Sequence, residues 1–237
     1  MERAGDNDRM AIIDALHHGL IVSCQAPNGS PLRQPTVMAA MARAAELGGA
    51  VGIRAQGVED IAAIKAVVGV PVIGIYKLPL DGFDILITPT LESAREIAAA
   101  GADIIALDAT DRPRPDGLCP AEAIALYKRE LGLPIMADIS TLDEGIAAAA
   151  AGADIVATTM SGYTLYSPQQ AAPDFDLISA LAAHVQRPII AEGRIADPAD
   201  VRRAMDLGAH AVVVGTAITA IDWVTRRYVQ ALAGVPR

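Results

Sequence analysis

The sequence predicts a single (β/α)8 barrel with an additional N-terminal helix. The chain has 237 residues, close to the length of about 250 that one such barrel needs. Four helical segments end in a glycine and a small residue that lead into a strand, at Gly49, Gly101, Gly152 and Gly208. Between them lie apolar runs that begin after Pro71, Pro134 and Pro188. The two signatures alternate, with roughly 50 residues between successive glycines, which is the length of two βα units.

The alternation places eight strands in order along the chain. They are predicted near residues 20–24, 50–54, 72–77, 103–108, 135–138, 154–158, 189–192 and 211–215. Apolar residues recur at helical spacing in the intervening segments 35–47, 58–68, 91–100 and 198–207. Segment 85–88 is apolar but breaks the alternation and runs into Pro89, so we interpret it as an extended part of the loop after the third strand.

The domain organisation follows from the same count. Residues 1–237 form one domain, in which residues 1–18 are an N-terminal extension whose helix, at 8–18, covers the N-terminal end of the barrel. A doubly wound open sheet is the competing fold, but no Gly-x-Gly-x-x-Gly follows the first strand.

Composition excludes several classes of function. The net charge of -9, without a cluster of Lys and Arg among aromatic residues, argues against nucleic-acid binding. No apolar run reaches the length of about 18 residues that a membrane span needs, and residues 1–9 are too polar for a signal peptide. We therefore expect a cytoplasmic protein without a membrane partner. Cys24 and Cys119 have no Cys-x-x-Cys spacing, which favours reduced thiols.

Polar residues close nearly all of the predicted strands. Because the active sites of (β/α)8 barrels lie at the C-terminal ends of the strands, these residues are the candidates for chemistry. A polar strand end is by itself unremarkable, but this many charged groups around one opening would be costly to desolvate unless they paired or bound a ligand. The set comprises Gln25, Arg54, Lys77, Asp108, Asp138, Thr158, Glu192 and the pair Gly215 and Thr216.

The loops after strands 7 and 8 predict a phosphate site. They contain Gly193, Arg194, Gly215 and Thr216. Glycines allow backbone N–H groups to approach an anion, and the start of a helix favours negative charge. These two loops form the phosphate site of many (β/α)8 barrels.

Lys77 is the candidate base. A lysine amine must lose about 2 to 3 pKa units, by desolvation or a neighbouring cation such as Arg54, to act as a base near neutral pH. Formation of a Schiff base is the alternative that the residues leave open. Glu192 and Asp138 are carboxylates suited to proton transfer or to holding hydroxyl groups.

Neither a metal nor a cofactor is predicted. None of the histidines, which are His17, His18, His184 and His210, lies at the C-terminal end of a strand. Cys24 precedes Gln25, but no histidine is placed to activate it, so we interpret it as a small buried apolar residue.

Several phrases in the sequence resemble the N-acetylmannosamine-6-phosphate 2-epimerases. The resemblance covers almost the whole chain and is carried by GLIVSCQ at 19–25, GAVGIR at 49–54, LDATDRPRP at 107–115, ADIST at 137–141, SGYT at 161–164, AEGRI at 191–195 and WVTRRY at 223–228. It implies a bacterial enzyme of sialic acid use that interconverts N-acetylmannosamine 6-phosphate and N-acetylglucosamine 6-phosphate. It also implies that Lys77 and Glu192 are the catalytic pair and that Gln25, Arg54 and Asp138 bind the substrate.

One residue departs from that family's pattern. An arginine often follows the catalytic lysine in the family, whereas Leu78 follows Lys77 here.

Two other functions remain compatible with the residues. One is a related phosphate-binding barrel in which Lys77 forms an imine, as in aldolase or thiazole-forming chemistry. The other is a sugar-phosphate sensor on an inactive barrel, against which the presence of both Lys77 and Glu192 argues. The sequence leaves the oligomeric state open, although apolar terminal helices would favour a homodimer.

Overall fold

A computed structural model describes residues 5–232 as a closed barrel of eight parallel strands. Each strand pairs with the next along the chain, and β8 pairs with β1. The fold class predicted from the repeat is confirmed. The strands are β1 (Leu20–Cys24), β2 (Gly52–Gln56), β3 (Val72–Ile75), β4 (Ile104–Asp108), β5 (Ile135–Asp138), β6 (Ile155–Ala157), β7 (Ile189–Glu192) and β8 (Ala211–Val214).

Helices connect the strands and surround the barrel. They are α1 (Asp6–Asp14), α2 (Pro35–Leu47), α3 (Val58–Lys65), α4 (Leu91–Ala99), α5 (Pro120–Leu131), α6 (Leu142–Ala150), α7 (Phe175–His184), α8 (Pro198–Asp206), α9 (Thr216–Thr219) and α10 (Ile221–Ala231). The glycines of the predicted repeat follow α2, α4, α6 and α8, and their φ angles lie between 98° and 104°. Only glycine adopts this conformation readily, which explains why it recurs where a helix ends.

Alternate residues of each strand face two different hydrophobic regions. The interior of the barrel contains Ile73, Ile104, Ile155 and Ile190, whereas their neighbours in sequence pack against the helices. Ile13 of α1 and Leu16 are buried in the same interior cluster. These two residues therefore lie against the lower end of the barrel, and α1 spans Asp6–Asp14 where the sequence predicted a helix at 8–18.

The observed bounds of several strands differ from the predicted ones, because hydrogen bonds to the neighbouring strands determine where a strand begins and ends. β2 runs from residue 52 to 56 rather than 50 to 54, because Ala50 still donates its N–H to Ala45 O at the end of α2. Arg54 is consequently in the middle of β2 and does not close it. β3 ends at Ile75, two residues before Lys77, and β6 ends at Ala157.

Segment 85–88 is part of a loop, as predicted. Within it Ile87 forms a single antiparallel bridge with Lys77. This contact supports the backbone of Lys77 beyond the end of β3.

The last helix packs less closely than the others. None of the residues of α10 is buried, and Ile221, Tyr228 and Val229 are at least half exposed. No helix within residues 5–232 combines the length and hydropathy required to cross a membrane.

Candidate active site

The side chains at the upper end of the barrel follow from the alternation along the strands. Interior positions continue from Ile190 to Glu192, from Met136 to Asp138 and from Ile75 to Lys77. Side chains two residues apart in a strand point to the same face. The interior face therefore becomes polar in the last positions of these strands, where the C-terminal ends meet.

A buried ion-pair network joins β2, β5 and β7. The guanidinium of Arg54 is 3.2 Å and 2.5 Å from the two carboxylate oxygens of Asp138 and 3.0 Å from Glu192 Oε2. Arg54 and Asp138 are almost completely buried, at 1% and 0% exposure. The structure thus brings together three of the residues that the sequence predicted as the site.

The Nε of Arg54 is buried and has no hydrogen-bond partner among residues 5–232. Gln25 is similar, because its Nε2 donates to Ser23 Oγ at 2.7 Å while its buried Oε1 has no partner in the same part of the chain. Unpaired buried polar atoms are costly. Within residues 5–232, Arg54 Nε and Gln25 Oε1 therefore keep unused hydrogen-bonding capacity.

Thr159 belongs to this network and was missed by the sequence analysis, which named Thr158. Its hydroxyl is 2.7 Å from Asp138 Oδ1 and 3.2 Å from Glu192 Oε2. Since a hydroxyl has one proton, it donates to only one carboxylate at a time. Its oxygen can accept a hydrogen bond from Glu192 when that carboxyl group is protonated. A partial signal was available, because Thr159 has the same parity as the interior residues Ile155 and Ala157, although it lies in a 3₁₀ turn after β6 has ended.

Burial is the main cause of the raised pKa of Glu192, and the charge of Asp138 raises it further. Arg54, Thr159 and Lys77 oppose this rise without cancelling it. Glu192 therefore keeps its proton to a higher pH than an ordinary glutamate. Burial alone would lower the pKa of Arg54, but the attraction of Asp138 and Glu192 raises it, so Arg54 stays charged.

Lys77 lies at the opening beside this network. The residue is exposed at the rim, but the protein shields the amine enough for desolvation to lower its pKa, and the charge of Arg54 acts in the same direction. Glu192 and Asp138 act in the opposite direction. Among residues 5–232, no group is close enough to hydrogen-bond the amine. The structure therefore brings Lys77 and Glu192 to the same opening.

The predicted phosphate loops provide unpaired N–H groups. Within the described part of the chain, the backbone N–H groups of Gly193, Arg194, Thr216 and Ala217 have no protein acceptor. Gly193 has a φ of 114°, and Thr216 begins the short helix α9. A Cβ on Gly215 would lie 3.2 Å from the Cβ of Ser23, so this position is closely packed. This combination matches the usual phosphate site of such barrels.

The guanidinium of Arg194 is already hydrogen-bonded to the protein and is not a free cation beside the predicted phosphate site. Its guanidinium donates to Ser161 O at 2.6 Å and to Ala172 O at 2.8 Å. The side chain therefore joins the loop after β7 to the loop after β6. Its role in binding substrate stays a prediction.

Other strand-end residues have structural partners. Asp108 binds Thr110 and Arg112, and the hydroxyl of Thr158 bonds to the backbone N–H and carbonyl of Glu192. Burial raises the pKa of Cys24 to about 12, as expected for an unreactive thiol. Residues 5–232 contain no group of three His, Cys, Asp or Glu side chains arranged for a metal ion.

Comparison with known proteins adds an independent finding. Residues 38–234 match the family described as "Putative N-acetylmannosamine-6-phosphate epimerase". The chain belongs to this family. The family resemblance predicted from the sequence is thereby confirmed.

Relatives with the name "Putative N-acetylmannosamine-6-phosphate 2-epimerase" are similar over nearly their full length. The protein from Cutibacterium acnes is 55% identical over 218 residues, which cover 91% of this chain and 93% of that protein. The protein from Caldanaerobacter subterraneus subsp. tengcongensis is 52% identical over 222 residues, covering 93% and 94%.

Solved structures agree with the fold of this epimerase-family chain. The N-acetylmannosamine-6-phosphate 2-epimerase from Clostridium perfringens has a TM-score of 0.91 at 44% identity, covering 98% of this chain and 100% of that one. Thiamine phosphate pyrophosphorylase from Pyrococcus furiosus has a TM-score of 0.61 at 16% identity, covering 94% and 100%. The second likeness shows the fold alone.

Proposed function

We propose that this chain interconverts N-acetylmannosamine 6-phosphate and N-acetylglucosamine 6-phosphate by removing and returning the hydrogen on C2 of the ring-opened sugar, without a cofactor. The observation that carries the proposal is the position of Lys77 beside Glu192 and the Arg54–Asp138 pair, at the end of the barrel that has the unpaired N–H groups of Gly193 and Thr216. The names of relatives up to 55% identical support the same activity.

The chemistry requires an open sugar chain. The C2 hydrogen becomes acidic only when C1 is an aldehyde, because the resulting carbanion is stabilised as an enolate with its charge on O1. Proton transfer at O5 and O1 must therefore precede the C2 step. Positioned acids and bases contribute about 10²- to 10⁴-fold to such transfers.

Lys77 is the base in this proposal. Its lowered pKa increases the neutral fraction of the amine, whose lone pair takes the C2 proton. The amine becomes an ammonium group, and the bonding electrons of C2–H pass into the enolate.

Glu192 is the partner acid. Its raised pKa favours the protonated form, which opens the ring or returns a proton to the opposite face of C2. Return of the proton to the opposite face inverts the configuration at C2. The Glu192 carboxylate and the Lys77 ammonium then recover their starting protonation before the next turnover.

The remaining predicted residues hold the substrate. We assign Gln25, Arg54 and Asp138 to oxygen atoms of the sugar, as the family resemblance implies, and the unpaired Gln25 Oε1 and Arg54 Nε support this for the first two residues. Gly193, Gly215 and Thr216 bind the phosphate through backbone N–H groups, and Arg194 adds positive charge and orders the loops beside it.

Proton NMR of N-acetylmannosamine 6-phosphate with the purified protein in deuterated water tests the activity. The proposal requires signals of N-acetylglucosamine 6-phosphate to appear with deuterium at C2. A protein that binds the sugar phosphate and leaves its C2 hydrogen in place would be a sensor. Conversion without deuterium at C2 would exclude exchange with solvent and contradict the mechanism.

We also propose a homodimer in which a second copy covers the apolar side of α10. The exposure of Tyr228, at 75%, and of Val229, at 60%, supports this, since monomers rarely expose large apolar areas. Light scattering should give twice the chain mass, and Tyr228→Glu should give the mass of one chain. A wild-type monomer would contradict the proposal. The predicted cytoplasmic location stays a prediction.

A further inference from the structure

The loop before α4 fills a gap in the barrel wall next to Lys77. Direct pairing between β3 and β4 covers Ile73 with Ile104 and Gly74 with Ile105, and then ends. Beyond this point the loop lies between the two chain segments. The N–H of Asp108 donates to Ile87 O at 3.0 Å, and the N–H of Thr88 donates to Tyr76 O at 2.8 Å.

The hydroxyl of Thr88 also connects the segment after β3 to β4. It accepts a hydrogen bond from the N–H of Tyr76 at 3.1 Å and donates one to Ala106 O at 2.6 Å. Thr88 is fully buried. One hydroxyl therefore joins the residue that precedes Lys77 to the neighbouring strand β4.

The backbone of Thr88 is in an unfavourable conformation. Its φ is 47°, which β-branched residues rarely adopt. Such a conformation persists only when surrounding contacts impose it. The bonds to Tyr76 and Ala106 are contacts of this kind, and asparagine or glycine would fit the backbone better but would lack the same hydroxyl.

The starting point and direction of the Lys77 Cα–Cβ bond depend on this support. No group among residues 5–232 hydrogen-bonds the Lys77 amine, so the held backbone is the constraint on this side chain that the hydrogen bonds show. That backbone lies outside β3 and is held by the bridge to Ile87 and by the Leu78 N–H, which donates to Leu86 O at 3.0 Å.

We propose that Thr88 is a positioning residue for Lys77, which aims the amine at C2 by holding the chain between β3 and β4 through its buried hydroxyl. This inference rests on the proposed epimerase function. Thr88 itself is not expected to touch the substrate. Displacement of a catalytic group by about 1 Å can reduce the rate about 100-fold, so the loss of this hydroxyl should affect turnover more than binding.

Four variants test the inference. Thr88→Val preserves the shape and removes the hydroxyl, Thr88→Gly removes it while relieving the backbone, and Thr88→Ser retains it. Thr90→Val is the matched control, because Thr90 caps α4 through the Ser93 N–H and is two residues further along the same loop. Each variant is measured for kcat, KM, rate of deuterium uptake at C2 and melting temperature, beside the wild type.

The expected result is a decrease of about 10- to 100-fold in kcat and in deuterium uptake for Thr88→Val and Thr88→Gly, with KM changed less than about threefold. Thr88→Ser should retain most of the wild-type kcat. Thr90→Val should lower the melting temperature without lowering kcat. If Thr88→Val does not fold, the kcat values of Thr88→Gly and Thr88→Ser are compared instead, since these two variants also differ in the hydroxyl.

Wild-type kcat in a folded variant without the hydroxyl would overturn the inference. A decrease in Thr88→Ser equal to that in Thr88→Gly would also overturn it. Absence of deuterium uptake in the wild type would instead overturn the proposed function, so the two failures are distinguishable.

Discussion

At the scale of single residues, the site depends on charges held out of water. Arg54 is enclosed between Asp138 and Glu192, where its positive charge offsets part of the desolvation cost of the two carboxyl groups. Replacing both members of a buried ion pair by apolar residues costs far less stability than removing one member, because removal of one leaves an uncompensated buried charge. The stability of this region and its chemistry therefore depend on the same three side chains.

Arg54→Met should lower the free energy of unfolding by about 3 to 5 kcal/mol, because Asp138 and Glu192 would lose their shared cation. Urea denaturation measures the change. Arg202→Met is the control, since Arg202 and its partner Asp206 are both exposed, and it should change stability by less than about 1 kcal/mol. Equal stabilities of the two variants would contradict the importance of the buried network.

The pH dependence follows from the opposite pKa shifts of Lys77 and Glu192. Activity should rise as Lys77 loses its proton, at lower pH than for an ordinary lysine, and should fall as Glu192 loses its proton, at higher pH than for an ordinary glutamate. A plot of kcat/KM against pH should therefore be bell-shaped. Glu192→Gln should weaken activity and remove the descending limb of this plot. A descending limb that persists in Glu192→Gln would show that another group causes it.

At the scale of the elements, glycines define where helices end and strands can begin. Gly152 follows α6 with a φ of 98°, and a Cβ added there would meet no atom within 4 Å. Only the backbone would resist a side chain at this position.

Gly152→Ala should lower the free energy of unfolding by about 1 to 2 kcal/mol, the cost of a left-handed conformation for a residue with a Cβ. Chemical denaturation measures it. Gly48→Ala is the control, because Gly48 has a φ of -77° at the end of α2 and should lose less than about 0.5 kcal/mol. A neutral result at Gly152 would show that the backbone relaxes there.

The elements also explain how far the sequence alone was informative. The capping glycines mark the starts of four strands and the prolines those of three, so these local signals predicted seven of the eight strands directly, and β1 precedes the repeat. The bounds of β2 and the end of β3 depend on pairing with neighbouring strands, which no local pattern contains. The same limit applies to Ile87 and Thr88, whose hydrogen bonds connect segments that are distant in sequence.

At the scale of the whole molecule, closure of the barrel brings the inward-facing residues at the ends of different strands together at one opening. Lys77 and Glu192 are more than a hundred residues apart, and their positions at the same opening were predictable from the parity of their strands. The engagement of Arg194 by the loop after β6 was not predictable, because it depends on the path of residues 161–174. The pairing of Thr159 with Asp138 lies between these cases, since parity predicts its direction and not its partner.

The imine alternative makes a different prediction for the same opening. Lysine acting as a base leaves no covalent adduct, so borohydride treatment with N-acetylmannosamine 6-phosphate should leave the mass of the chain unchanged. A sugar adduct on Lys77 would favour the Schiff-base mechanism instead.

Exchange of the C2 hydrogen with deuterated solvent by Lys77→Met, compared with the wild type under identical conditions, tests the role of the amine most directly. Removal of the amine should abolish both deuterium uptake and conversion of either epimer, while circular dichroism stays that of a folded barrel. Turnover and deuterium uptake at wild-type rates in Lys77→Met would show that another group takes the proton.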